Sequence, residues 1–183
     1  MTVRKWMGWG ALALVVGIAQ PAAAGPQEDT EQAVKEFERG NLVVAMELWK
    51  KAAEAGHAPA QVWLGEILDK SEEDEQAVAW YRKAAEQGDA GGEFGLGQMY
   101  AKGEGVKQDN EKARAHILRA AEKNHLSAAI AMRDIYKNGS YGVAADRAQS
   151  EKWDAKVKEI LGPDHPSLKP VAEDNASGKK KRR

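Results

Sequence analysis

The sequence predicts an all-α protein, a solenoid of about four helical hairpins. Two recurring phrases and one absence predict it. The first phrase reads Lys51-Ala52-Ala53-Glu54-Ala55-Gly56, then Lys83-Ala84-Ala85-Glu86-Gln87-Gly88, then Arg119-Ala120-Ala121-Glu122-Lys123-Asn124, at offsets of 32 and 36 residues. The second follows each copy at the same offsets: Leu64-Gly65-Glu66-Ile67-Leu68, Leu96-Gly97-Gln98-Met99-Tyr100 and Met132-Arg133-Asp134-Ile135-Tyr136. No segment alternates polar and apolar residues as a strand would. Self-similarity at a fixed period of about 20–50 residues marks a stack of supersecondary units.

The elements follow in order. Helices are expected over 30–39 and 42–55, 58–69 and 73–87, 90–101 and 109–123, and 126–138 and 146–161. Paired alanines favour helix and let a neighbouring helix approach closely. Gly56, Gly88 and Asn124 sit where each phrase ends, and a left-handed stop wants Gly or Asn. Apolar residues at positions one, four and five of the second phrase form one helical face. Gly65 and Gly97 at position two suit close helix–helix contact. Gly103-Glu104-Gly105-Val106 and Gly139 to Val143 read as interhelical loops, which the first unit replaces with the shorter Asp69-Lys70-Ser71 turn. Asp29, Ser71, Asp109 and Asp146 are candidate N-caps, and Gln149 completes a capping box with Asp146. Gly162-Pro163 stops the last helix.

The ends differ from the body. Arg4 and Lys5 precede an uncharged, largely apolar run of 14 residues, Trp6 to Ala19, and Ala22-Ala23-Ala24 follows. That is the pattern of a secretory signal, with cleavage expected after Ala24. The run is short of the roughly 17–25 apolar residues that span a bilayer, so no transmembrane segment is expected after cleavage. The mature chain is expected in the periplasm or outside the cell. Residues 25–162 form the expected repeat domain. Residues 163–183, with three prolines and a terminal Lys179-Lys180-Lys181-Arg182-Arg183, read as a disordered tail. Setting aside residues 1–24 and those five cations, 20 basic groups face 28 acidic ones, a net charge of −8. That balance disfavours nucleic acid as a ligand of the body, because phosphate contacts need basic side chains. There is no Cys, which removes disulfides, a thiolate nucleophile and Cys-based zinc sites.

Ala77-Val78-Ala79-Trp80-Tyr81-Arg82-Lys83-Ala84-Ala85-Glu86-Gln87-Gly88, continued by Leu96-Gly97-Gln98-Met99-Tyr100 and Gly103-Glu104-Gly105-Val106, resembles the Sel-one-like repeat family. That family is a branch of the tetratricopeptide-type helical repeats. The resemblance covers roughly residues 42–155. It implies a right-handed α/α superhelical solenoid with a concave surface, acting as an adaptor between proteins, and in many bacterial members as an exported one. Three departures stand out: the missing glycine loop of the first unit, Arg133 in place of the packing glycine, and Lys156-Val157-Lys158-Glu159 in place of the alanine phrase. Terminal repeats degenerate in this way because one face meets solvent. A thiol-rich subgroup of the family is linked to penicillin binding, and the absence of Cys removes that basis here.

No chemistry-bearing constellation emerges, so no catalytic residue, metal site or cofactor is expected. His57, His116, His125 and His165 lack metal-ligand spacing and read as packed or solvated. The glycines from 92 to 105 follow no strand and precede no Gly-Lys-Ser/Thr. The acidic run 71–75 suits a helix start. Trp49, Trp80, Tyr81 and Trp153 read as core. Two surfaces remain as binding candidates. The inner face of the first helices would expose Trp63, Glu66, Glu93, Gln98 and Arg133 to one or more protein partners. Trp63 occupies the register of Gly95 and Ala131, as a binding anchor or as the filler of a gap beside the first unit. Lys179, Lys180, Lys181, Arg182 and Arg183 would attract an anionic lipid or cell-wall surface. An envelope hydrolase is the remaining alternative, and it requires a convergent site that the sequence does not display.

Overall fold

The structure is a computed structural model that describes residues 25–163, 165 and 166. The leader read at 1–24 and the basic run at 179–183 lie outside the described residues. Eight helices are present among them and no strand: α1 Pro26–Glu38, α2 Leu42–Glu54, α3 Ala58–Lys70, α4 Asp74–Glu86, α5 Ala90–Lys102, α6 Asn110–Glu122, α7 Leu126–Asn138 and α8 Arg147–Leu161. Successive helices pack as antiparallel neighbours, and α3 also packs on α5 across the hairpin boundary. The result is the expected all-α hairpin stack.

Helices α2 to α8 begin and end within one residue of expectation, and the alanine phrases explain why. Ala52, Ala84, Ala120 and Ala121 are fully buried, and Ala53 is nearly so, so the hairpins close on methyl groups. One register carries the large core side chains: Trp49, Tyr81 and Ile117, buried in α2, α4 and α6. Trp153 continues that register in α8 and is half-buried, as is Trp80, over whose ring Lys83 Nζ lies 3.9 Å from the centroid. The helix stops are as the sequence indicates. Gly56, Gly88 and Asn124 all have left-handed backbones, with φ of 91°, 79° and 63°.

Two caps depart from expectation. α1 starts at Pro26, with the Glu28 side chain accepting from the Gly25 amide at 3.1 Å. Proline is at ease at a helix start because its missing N–H has no intrahelical role there. Asp29 therefore lies inside the first turn, buried, with Oδ2 2.8 Å from Lys51 Nζ of α2. Ser71 ends α3 instead of starting α4, its hydroxyl donating to the Ile67 carbonyl at 2.9 Å. Asp109 and Asp146 cap as expected, each accepting at 3.0 Å from the amide three residues on, Lys112 and Gln149. Asp89 caps α5 in the same way, accepting from Gly92 at 2.9 Å.

The interhelical loops lean on the preceding hairpin. Gly105 has φ of +63°, and a Cβ there would collide with the Asp74 carbonyl at the start of α4. In the next unit Arg114 of α6 donates to the Tyr141 carbonyl at 2.8 Å. Arg133, at the register of Gly65 and Gly97, does not prevent α7 and α8 from sharing a core of Met132, Ile135 and Val157. Its guanidinium turns aside, with Nε 2.9 Å from Asp134 Oδ1 and Nη1 3.9 Å from Asp154 Oδ1.

Candidate binding groove

The packing of α3 on α5 leaves a groove of about 330 Å³, which the first turn of α7 also borders. Glycine creates it. Gly91 and Gly95 are one turn apart on α5, so they share a face and leave it without side chains. A Cβ at Gly91 would stand 3.1 Å from Val62 of α3. A Cβ at Gly95 would stand 2.5 Å from both Cδ1 and Cε1 of Tyr81, and one at Gly65 would stand 2.8 and 2.6 Å from the same two atoms. One edge of the Tyr81 ring thus rests on two glycines from different helices and forms the floor of the groove.

Val62, Glu66, Asp69 and Lys70 of α3 form one wall, and Phe94 and Gln98 of α5 form the other. His125 closes one end. It is the N-cap of α7, with Nδ1 accepting from the Ala128 amide at 3.3 Å and its ring 4.9 Å from that of Phe94. Burial lowers the His125 pKa, against a smaller opposing effect of Asp89. Burial raises the Glu66 pKa, with Lys70 and Asp69 acting in opposite senses. Tyr81 is 3% exposed and its hydroxyl is held neutral, first by burial and then by the Asp69 and Glu66 charges. Neither the Tyr81 hydroxyl nor the Glu66 carboxylate has a hydrogen-bond partner among the described residues. The groove pairs the apolar surfaces of Val62 and Phe94 with the polar side chains of Glu66, Asp69, Lys70 and Gln98, a mixed lining that suits a polar ligand with an apolar part.

The structure brings Glu66 and Gln98 together in this groove and places the other proposed residues elsewhere. Glu93 is not exposed. It is 6% exposed and turned into the α5–α6 interface, with Oε2 2.7 Å from His116 Nδ1 and Oε1 3.0 Å from Arg119 Nε. Burial alone would raise its pKa, but the hydrogen bonds from Arg119 and His116 outweigh burial and hold it below the usual carboxylate range. The reason is rotational: five residues separate Glu93 from Gln98, which at about 100° per residue turns them to different sides of the helix. Trp63 is half-buried and stacks on Trp49 at 4.9 Å with an interplanar angle of 9°, with Phe37 6.0 Å away. Arg133 is half-buried in its pairing with Asp134 and Asp154. The sequence reading missed Tyr81, Asp69, Phe94 and His125 as groove residues. The spacing of Gly91 and Gly95 was the signal that could have located them.

A stack of antiparallel hairpins with repeating registers is a helical solenoid of the tetratricopeptide type. Its surface presents grooves between adjacent first helices. The Sel1 repeat family model matches residues 37–57, 58–89 and 90–125. The chain therefore carries three Sel1 repeats. The matched units are α2, then α3 with α4, then α5 with α6, so the α7–α8 hairpin with Arg133 lies beyond the match. The chain is similar in fold to a Sel1 repeat protein from Oxalobacter formigenes, at 24% identity and a TM-score of 0.67, covering 74% of this chain and 59% of that one. It is similar to a protective antigen present in uropathogenic Escherichia coli strains and displaying an SLR fold, at 32% identity and a TM-score of 0.65, covering 74% of this chain and 31% of that one. A Sel1 repeat protein from Klebsiella pneumoniae is similar at 20% identity and a TM-score of 0.61, covering 74% and 68%. The chain thus spans less than two thirds of the first two structures. No curated protein matches the sequence. Sel1 repeats typically serve protein–protein interaction, and their fold is generally a non-catalytic scaffold. Among the described residues no helix is long and apolar enough to cross a membrane.

Proposed function

We propose that this chain is an exported adaptor that holds a protein partner in the groove between α3 and α5. The observation that carries the reading is a groove between adjacent first helices that Gly91 and Gly95 keep open, lined by the polar side chains of Glu66, Asp69, Lys70 and Gln98. A solenoid displays such a groove to an extended segment, whose backbone and side chains hydrogen-bond to the polar groups that line it. The leader pattern at 1–24 supports export, and the fold supports binding over catalysis. The test is site-specific photo-crosslinking in the native cell, with the reactive group at Gln98 in the groove or at exposed Arg82 of α4 as a control. A discrete protein adduct from position 98 and none from position 82 is expected. Equal labelling from both, or none from either, overturns the assignment. N-terminal sequencing of the exported protein is expected to begin at Gly25, and an intact Met1 would refute the leader.

A second reading, binding of an anionic lipid or cell-wall surface, is favoured by one observation: five consecutive cations at Lys179–Arg183 beside a body of net charge −8. It predicts that deleting residues 179–183 releases the protein from the envelope and that added salt does the same.

A further inference from the structure

The first turn of α2 breaks the pattern of the other units. At the same register α4 opens with Asp74-Glu75-Gln76 and α6 with Asn110-Glu111-Lys112, whereas α2 opens with Leu42-Val43-Val44. Acidic side chains stabilise a helix start, and α2 has none in its first turn. Two β-branched residues there also lower helix propensity. Local preference thus argues against this sequence, and such departures gather at functional places.

These side chains are also uncovered. Among the described residues the exposed large apolar side chains are Phe37, Leu42, Val43, Val44 and Met46, with Val43 the most exposed at 72%. The reason lies in the loops. Met46 shares its register with Val78, which is 3% exposed and belongs to the cluster on which Val106 of the glycine loop packs. The turn after α3 has no such loop, so Met46 and the residues before it stay open. Leu42, Val43 and Met46 fall within about 100° of one another around α2, and exposed Glu47 and Lys50 continue that face.

A second copy of the chain fits this face in area and in charge. The five exposed side chains present about 300–450 Å², the size of apolar patch that marks an interaction site on a monomer. Two such patches, with the side chains around them, reach roughly the 1,200 Å² at which specific interfaces begin. A two-fold contact sets the patch against itself, so a rim of one sign would repel. Residues 35–51 carry four basic and three acidic side chains. The body as a whole, at −8, repels a second copy over most of its surface.

We propose that two copies of this chain pair about a two-fold axis through the α2 face of Leu42, Val43 and Met46. No residue of the groove between α3 and α5 lies on α1 or α2, so the groove stays open in each copy. The dimer presents two grooves to its partners, a doubling that rests on the groove reading, whereas the pairing itself does not.

Light scattering after size exclusion, on the full protein purified from its native cell, tests the pairing. Twice the mass of one chain is expected at about 100 μM, where a contact of micromolar affinity is occupied. Val43→Glu gives α2 the residue that Glu75 and Glu111 supply at the same register, so its far-ultraviolet circular dichroism is expected to be unchanged. The substitution sets two carboxylates into the contact, and the dissociation constant is expected to rise at least about hundredfold. Leu42→Asp, after Asp74, is expected to act in the same sense. Arg82→Glu, a change of exposed charge on α4, is expected to leave the dimer intact. A single-chain mass for the wild type at that concentration, a dimer that both α2 substitutions leave unchanged, or assemblies that grow beyond two chains would overturn the proposal. Photo-crosslinking from Gln98 reads the groove independently, so loss of the dimer and loss of the groove partner are separate results.

Discussion

Gly95→Ala is the sharpest probe of how the groove is built. In the wild-type chain the new methyl would sit 2.5 Å from two ring carbons of Tyr81. Ordinary carbon–carbon contact is about 3.5–4.0 Å, so the ring would have to move by about 1 Å. The same ring edge is held by Gly65 of α3, which confines the movement. Overpacking of this kind costs about 1–3 kcal/mol, and the absence of slack places the expected loss near 2 kcal/mol. Replacing the ring by Tyr81→Leu removes the obstacle. In that background Gly95→Ala is expected to stabilise by up to about 1 kcal/mol, the helix-propensity gain of Ala over Gly. The coupling between the two positions is then about 3 kcal/mol, at the upper end for residues in contact. Urea unfolding of the four proteins of the cycle, followed by far-ultraviolet circular dichroism, measures it. A Gly95→Ala effect of equal size and sign in both backgrounds would refute the proposed packing.

Three further outcomes follow from the geometry. Gly105→Ala places a methyl against the Asp74 carbonyl at a positive φ and is expected to cost about 2–3 kcal/mol, read as a melting temperature lowered by about 4–10 °C. Glu93→Gln weakens charge-assisted hydrogen bonds to His116 and Arg119 and is expected to cost about 1.5–3 kcal/mol near neutral pH. Because the folded-state pKa of Glu93 is depressed, its contribution is present above the usual carboxylate range and is lost as pH falls through the folded pKa. The stability gap between wild type and Glu93→Gln therefore narrows in acid, and a gap that stays constant down to strong acid contradicts the assignment. Asp109→Ala and Asp146→Ala each remove an N-cap worth about 1 kcal/mol, whereas Ser71→Ala, which ends a helix, is expected to change denaturation midpoints little.

Much of the fold was legible because the repeat states it three times. The left-handed stop at Asn124 was readable only by comparison with Gly56 and Gly88, and its φ of 63° agrees. The start of α1 was misplaced because Asp29 was preferred as a cap over Pro26, although proline at a first helical position is the stronger sign. The inner-face residues divided by register. Glu66 and Gln98 share a register and share the groove. Glu93 shares a register with Gln61, which is 3% exposed and donates to the Ala53 carbonyl at 3.1 Å, so its burial was readable from the same alignment. The place of Tyr81 at the groove floor was not readable. It depends on two glycines, from α3 and α5, meeting the same ring edge, and no single phrase contains both.

The loop at Gly105 carries a mechanical consequence. Because it overlaps the start of α4, the third hairpin rests on the second as one roof tile rests on the next, and the Arg114–Tyr141 contact lays the fourth on the third. The α1–α2 pair has no such tile over it, since the turn after α3 lacks the glycine loop. Pulled from its two ends, the solenoid is expected to shed α1 and α2 first and at low force. The three overlapped hairpins should then resist together and give way in one larger step.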